Sequence, residues 1–390
     1  MTRSRGRAVV FGFAFWYPLA GVTWQYLHYL LALRRLGWDV WYVEDSSRWV
    51  YDPTTGLETP DASANVARVA RALDMHGFSG RWAFRGCYPG GRSYGLEAHE
   101  LDRLYREIDV MLNVCGAQEL RDEHRTAATR LYVETDPVAS QVRVASGDQA
   151  MIATLEAHDV LFSFGENLGA PDCGVPVERF AWLPTRQPVV TELWAAERPS
   201  PSAPFTTVAT WRNAGKDIEL DGEMYYWSKD REFRKFLDLP SHRPGVAVEV
   251  ALGDEPDARD ALHRHGWRVR DSADVSRDPE TYRSYVQGSR GEFTVAKDQN
   301  IRLRSGWFSD RSACYLAAGR PVVTQDTGIG NVLPTGKGLF AFASLEDVVA
   351  AFDAIASDYD GHTRAAVELA HEYFEAERVV ASLLERAGLA

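Results

Sequence analysis

At 390 residues the chain exceeds what one hydrophobic core usually supports, so two domains are expected. With 45% hydrophobic and 25% charged residues its composition is that of an ordinary globular protein, neither fibrous nor disordered. Its 55 acidic side chains outnumber 43 basic ones for a net charge of -12, which disfavours nucleic acid and anionic membrane as partners and makes any phosphate site a local one.

The chain opens on a buried strand, Arg7-Ala-Val-Val-Phe-Gly12. The loop Phe13 to Gly21 follows, aromatic and nearly free of charge. Through Phe15, Trp16, Tyr17 and Gly21 it suits an apolar or sugar-like small-molecule acceptor stacked on rings, or equally a hydrophobic loop buried between domains. The apolar run Ala8 to Gly21 is too short to span a bilayer, contains Pro18 and lacks a cleavage pattern, so no targeting segment and a cytoplasmic location are expected. Val22 to Leu36 has helical apolar spacing with Gly37 as its C-cap, and Asp39 to Val43 is the next strand. A β-α-β opening implies a parallel sheet. Further strands are expected at 110–114, 129–133 and 160–164.

At the end of one of these strands, in Val133-Glu-Thr-Asp-Pro137, Asp136 is either a catalytic base for an acceptor hydroxyl or a structural cap; His124 and Glu134 are weaker candidates. Residues 184–204 read as a linker. A second β-α series then runs through 205–210, 245–251, 267–270, 291–295 and 321–323, and two helices, 345–356 and 362–387, close the chain. Four scattered cysteines, Cys87, Cys115, Cys173 and Cys314, argue against a zinc site or disulfide framework, and no acidic or histidine cluster has metal-ligand spacing.

The densest signal lies between Arg304 and Gly328. A polar loop leads into a short helix opened by Ser309, Asp310, Arg311 and Ser312, closed by Gly319 and followed by the strand Pro321-Val-Val323. Helix N-termini after parallel strands hold anions, and amides, hydroxyls and a guanidinium gather at this one. Arg311 is either part of an ordinary first turn or, because a cation there opposes the helix dipole, the partner of a bound diphosphate. The preceding run, with Lys297 at its head, is a surface loop or a positive wall for the same ligand.

Two Rossmann-like domains joined by a linker, with Ser-Gly-Trp-Phe-Ser-Asp-Arg-Ser-Ala-Cys-Tyr-Leu-Ala-Ala-Gly-Arg-Pro-Val-Val in the second, resemble the GT-B nucleotide-sugar glycosyltransferases, in particular a bacterial group of unassigned acceptor. The resemblance implies an α/β fold with domains facing across a cleft: an acceptor domain at 1–190, a donor domain at 200–370, and a final helix, 371–390, packing back on the first. It implies donor contacts from Asp326, Thr327 and Gly328 after Pro-Val-Val, and a phosphate-binding cation at Lys229, with Arg212 beside it. Trp211 and Trp227 are stacking candidates or core. The carboxylates that many retaining members carry around this helix fall at Gly306 and Cys314, and the first loop lacks the histidine of many inverting members. The expected activity is metal-independent transfer from a UDP-type donor, a co-substrate rather than a cofactor, with Arg311 and Asp136 catalytic. The alternatives are a nucleotide-sugar epimerase or hydrolase, and a two-lobed binding protein without catalysis.

Overall fold

A computed structural model describes residues 5–213 and 215–389; the ends of the expected first domain at 1–4 and of the last helix at 390 lie outside the described residues. Two parallel sheets organise them. The first is built from β1 (Arg7–Phe11), β2 (Asp39–Ser46), β3 (Trp82–Gly86), β4 (Ser93–Gly95), β5 (Val110–Val114), β6 (Thr129–Glu134), β7 (Val160–Ser163) and β8 (Trp182–Pro184). Its spatial order is β8-β7-β6-β5-β1-β2-β3-β4, with only the β3–β4 pair antiparallel. The second comprises β9 (Phe205–Ala209), β10 (Val248–Leu252), β11 (Arg268–Asp271), β12 (Gly291–Thr294), β13 (Val322–Gln325) and β14 (Leu339–Phe342), in the order β11-β10-β9-β12-β13-β14.

Both sheets run outward in one direction from their first strand and then reverse, as doubly wound sheets do. The reversal falls between β1 and β5 in the first and between β9 and β12 in the second. Ligands of such folds sit beyond the carboxyl ends of the strands at this switch point. The central strand β1 is covered on both faces, and Ala8, Val9, Val10 and Phe11 are fully buried. That is why its sequence is a continuous apolar run instead of an alternating one. The architecture is α/β with two Rossmann-like units, the GT-B arrangement.

Sequence periodicity misses β3, β4, the three-residue edge strand β8 and β14. The first pair forms an edge where arginines interrupt the apolar run, and β14 is a four-residue segment too short to separate from a loop. The closing segment also differs from expectation. In place of one helix over 362–387 there are two, Tyr359–Leu369 and Ala376–Arg386, parted by a π-helical turn at Ala370–Phe374 and by extended backbone at Glu375. The cause lies in the stretch 185–204. Val189 N–H donates to the Phe374 carbonyl (2.7 Å) and the Ala376 N–H to the Val189 carbonyl (2.9 Å), so the passing chain occupies groups that a continuous helix would pair with itself. Beyond the break, Ala376–Arg386 packs on the first helix, Ala20–Arg35, burying Val379, Val380, Leu383 and Leu384. Among the described residues, no helix is long and apolar enough to cross a membrane.

Leu383→Ala removes a side chain that is 1% exposed at this junction. It is expected to cost about 2–4 kcal/mol of stability, read as a shifted urea midpoint, since deletions from packed cores fall in that range. An unchanged midpoint would show that the last helix is only loosely docked.

Candidate functional site

The chain has only five lysines, and the fold brings three of them, Lys216, Lys229 and Lys297, to two tryptophan rings. Lys297 lies just beyond β12, while Lys229 and Lys216 come from the long connection after β9, so all three stand at the switch point of the second sheet. The Lys297 ammonium is 4.4 Å from the Trp227 ring centroid and 5.9 Å from that of Trp307. Lys216 is 5.0 Å from Trp227 and Lys229 is 5.8 Å from Trp307. Both rings reach the loop after β6: Trp227 Nε1 donates to Asp136 (2.6 Å) and Trp307 Nε1 to the Thr135 carbonyl (3.0 Å).

Asp136 is therefore engaged from the opposite sheet on every side. Its carboxylate accepts from Lys297 (2.7 Å), Lys216 (3.3 Å) and Trp227. Burial alone would raise its pKa, but Lys297 and Lys216 outweigh it and hold the carboxyl at about 2. Such a carboxylate is a weak proton acceptor, so the geometry makes Asp136 an anchor between the sheets and counts against its role as a base.

Lys229 is the opposite case. Its side chain is 8% exposed, and among the described residues its ammonium has no hydrogen-bond or ion-pair partner. Burial, followed by the fields of Arg311 and Lys297, depresses it from 10.5 to about 7. Glu292 and Asp310 act the other way but do not prevail, so the buried ammonium is unfavourable until an anion approaches it.

Arg311 stands in the first turn of the helix Asp310–Ala317, and its opposition to the helix dipole is answered within the protein. Its Nε donates to the buried carboxylate of Glu292 (2.6 Å), Nη1 to the Val208 carbonyl (2.7 Å) and Nη2 to Thr294 Oγ1 (2.9 Å). Burial opposes the charge, but Glu292 prevails and the guanidinium stays firmly protonated. Three of its five N–H groups are used, which leaves two for a ligand and fixes their direction. At the same helix end Ser309 occupies the cap position without a side-chain bond to the first-turn amides, and the buried Ser312 hydroxyl has no partner among the described residues. Asp310 and Arg311 also line a small cavity with Gly21, Gln25 and Cys314.

Several expected contacts are occupied elsewhere. Asp326 pairs with Arg304 (3.0 Å) and accepts the Gly328 amide (2.9 Å), while Thr327 is buried and donates to the Trp307 carbonyl (2.7 Å). These residues shape the loop that carries Trp307 and lie closed against Asn167 of the first half. Arg212 is exposed, one residue after the buried Trp211. Gly306, at φ +75°, would place a Cβ 2.5 Å from the Asn167 amide nitrogen, so this contact between the halves leaves no room there for a glutamate.

On the facing side, Phe15 belongs to the core. It is 0% exposed and packs on Tyr42, Trp82 and Phe84 at 5.3–5.7 Å. Glu44 turns it inward by accepting the Phe15 and Trp16 amides (2.7 and 2.5 Å), and burial pushes this carboxyl up to about 8. Trp16, Tyr17 and Gly21 remain half-buried, with Gly21 against Tyr282. His124 is wholly buried on Asp45 (2.9 Å). Glu134 is buried with Gln141 and Ser163 as partners, and burial lifts it to about 7. Neither is an open base.

Sequence reasoning missed Glu292, Thr294, Trp307 and Lys216. Glu292 left a trace, since an acid inside a buried strand requires a cationic partner. Among the described residues, three of the four non-glycine residues with positive φ, Cys115 (65°), Val138 (92°) and Arg304 (49°), lie on loops at this meeting of the halves, where strained backbone tends to be kept for function.

No family model and no curated protein matches the sequence. Solved structures do match it over nearly their whole length. An alpha-glucosyltransferase in complex with UDP-glucose and DNA containing an abasic site superposes with a TM-score of 0.60 at 12% identity, covering 98% of this chain and 99% of the other. HepE of Anabaena in complex with UDP and glucose gives 0.53 at 10% identity, covering 97% and 100%. A glycosyltransferase from Rickettsia africae gives 0.50 at 10%, covering 98% of each. The fold is thus that of the GT-B glycosyltransferases.

Lys229→Met should stabilise the unliganded protein. Unfolded, the lysine titrates near 10.5; folded, near 7, so the unfolded chain binds more protons between these values. The residue's contribution to stability therefore improves as pH rises through that window and is worst below about 7. The expected result is a variant with a raised melting temperature at pH 6 whose advantage shrinks towards pH 10; a lowered melting temperature at pH 6 would mean that the amine has a partner.

Proposed function

We propose that the protein is a metal-independent glycosyltransferase that moves a sugar from a nucleotide-diphosphate donor, with UDP as the favoured nucleotide, to a small uncharged acceptor. The observation that carries this reading is the unpartnered, buried ammonium of Lys229 at a sheet switch point, flanked by Arg311 and Lys297. In a chain of net charge -12 such a concentration of cations calls for an anionic ligand. The neighbours determined with UDP or UDP-glucose support the choice of donor. Four of the neighbours, all alpha-glucosyltransferase structures, hold DNA, but the net charge here speaks against a nucleic-acid acceptor.

As the glycosidic bond breaks, negative charge grows on the departing diphosphate. Arg311, held in place by Glu292 and Thr294, presents its two remaining N–H groups without needing to reorganise. Lys229 gains the counter-charge that the unliganded site denies it, and Lys297 is delivered by its bond to Asp136. The cations do the work a divalent ion does elsewhere, so activity is expected to persist in EDTA. Among the described residues, the one group of His, Cys, Asp and Glu with ligand atoms close together is Asp45, Glu123 and His124, whose carboxylates are paired to Arg85 and Arg121. Measurable release of UDP from a UDP-sugar without any acceptor would favour a hydrolase or epimerase on the same fold, and tight binding without turnover under all conditions would favour a binding protein.

Thermal-shift and calorimetric titration with UDP test the site. UDP is expected to raise the melting temperature in EDTA, with protons taken up on binding above about pH 7, where Lys229 is neutral before the ligand arrives, and none taken up well below it. Lys229→Met should lose most of this affinity. Absence of stabilisation by every nucleoside diphosphate would sink the proposal.

Arg311→Ala is a poor probe, because stripping Glu292 of its partner costs about 3–5 kcal/mol of stability on its own. Arg311→Lys keeps the charge and loses the fork. It should fold and lower kcat/KM by about 1–3 kcal/mol of transition-state stabilisation. Wild-type kinetics in this variant would remove Arg311 from the mechanism.

A further inference from the structure

The large apolar side chains exposed among the described residues are Trp49, Leu57, Met75 and Met224, and three of them fall within one segment, 49–75. Its start is a hairpin, Val50–Asp52 paired with Leu57–Thr59, tied to the loop that follows β1. Trp16 Nε1 donates to the Trp49 carbonyl (2.7 Å), and the Tyr51 amide donates to the Trp16 carbonyl (2.8 Å). Between them runs a chain of rings: Phe13 to Trp16 at 6.0 Å, Trp16 to Tyr17 at 5.9 Å, Tyr17 to Tyr51 at 4.7 Å. The Arg48 guanidinium lies 4.9 Å over the Trp16 ring. Among the described residues, the Arg48 side chain and the hydroxyls of Tyr17 and Tyr51 make no hydrogen bond.

The loop that carries these rings also reaches the cation site. Gly21, at the other end of the same loop, shares a cavity with Asp310 and Arg311. Gly21 is four residues on from Tyr17, and four chain steps span at most about 14 Å, the length of a few sugar rings. The ring cluster therefore lies within about 14 Å of the loop end that meets Arg311, and its outer member, Trp49, is 47% exposed.

We propose that Trp16, Tyr17, Trp49 and Tyr51 form an extended subsite for a saccharide chain, so that the acceptor is an oligosaccharide whose end group reaches the cleft. This rests on the glycosyltransferase reading given above. Aromatic faces bordered by free hydroxyl and guanidinium donors match the alternating C–H faces and hydroxyl edges of pyranose rings. Charge decides against the other occupants of an exposed aromatic patch. Within 47–61 a single basic residue, Arg48, faces Asp52, Glu58 and Asp61, a balance that repels anionic lipid and nucleic acid and is indifferent to a neutral glycan.

The test is binding of the full chain to an array of oligosaccharides of graded length, without donor, followed by calorimetry with the best ligand. Trp49→Ala is chosen because its exposed side chain is removable without loss of core, and the bond it gives Trp16 comes from the backbone. The expected result is affinity that rises with chain length and falls about tenfold or more in Trp49→Ala, as for an aromatic anchor, while UDP still shifts the melting temperature of the variant. Failure of the wild type to bind any glycan, glycan affinity untouched by Trp49→Ala, or co-sedimentation with phosphatidylglycerol vesicles in place of glycan binding would each overturn the subsite. Loss of UDP binding in the wild type alongside intact glycan binding would instead overturn the donor assignment and leave the subsite standing.

Discussion

A carboxylate from one sheet and an ammonium from the other, Asp136 and Lys297, meet at 2.7 Å and fix how the two halves face. The rest of the site is arranged around that pair. Burial holds Lys297 below the usual lysine range, and Asp136 beside it offsets part of that cost. With Lys297 held, Trp227 and Trp307 close over the same loop, and Lys229 is buried beside the Trp307 ring within the fields of Arg311 and Lys297. Asp136 pairs with Lys297 and Lys216 and Glu292 with Arg311, whereas among the described residues Lys229 has no direct carboxylate partner, only the weaker fields of Glu292 and Asp310. That asymmetry is what the proposed donor site rests on, since in a salt-bridge network every charge finds a partner inside the protein.

The two ion pairs have different energetic characters. Glu292 sits in the middle of β12 and is completely buried, so its bond to Arg311 orders a guanidinium before any ligand arrives, at a desolvation cost already met in folding. Lys229 carries an unmet desolvation cost that a bound anion relieves. A site that combines one satisfied cation with one frustrated cation can hold its geometry and still gain strongly from ligand binding, the usual compromise between stability and function.

The overall architecture was legible because its signals are local. β1 announces itself as an apolar run, the first helix by its spacing, and the helix Asp310–Ala317 by polar residues before it and Gly319 after it. The lysine site was only half legible. Lys229 and Lys297 stood out by scarcity and position, but Lys216 and Trp307 meet them only through folding, and no spacing rule links residues so far apart. Asp136 shows the limit most clearly: a strand-end carboxylate reads equally as base or cap until the residues opposite are known, and two lysines opposite it are what count against the base. Phe15 was misplaced for a similar reason, because the aromatic loop does not reveal that Glu44 captures two of its amides. The break at Glu375 was invisible, since its cause is a chain segment almost two hundred residues earlier.

The packing of Ala376–Arg386 on Ala20–Arg35 also bears on how the chain is made. The first helix is made long before its partner, so the apolar surface destined for Val379, Val380, Leu383 and Leu384 stays uncovered until residues 376–386 have been added. The first sheet can form during synthesis, but its core is completed only when both halves exist. Folding of the amino-terminal half is thereby tied to completion of the chain, and a nascent protein stalled in its second half carries an open hydrophobic face that a chaperone would recognise.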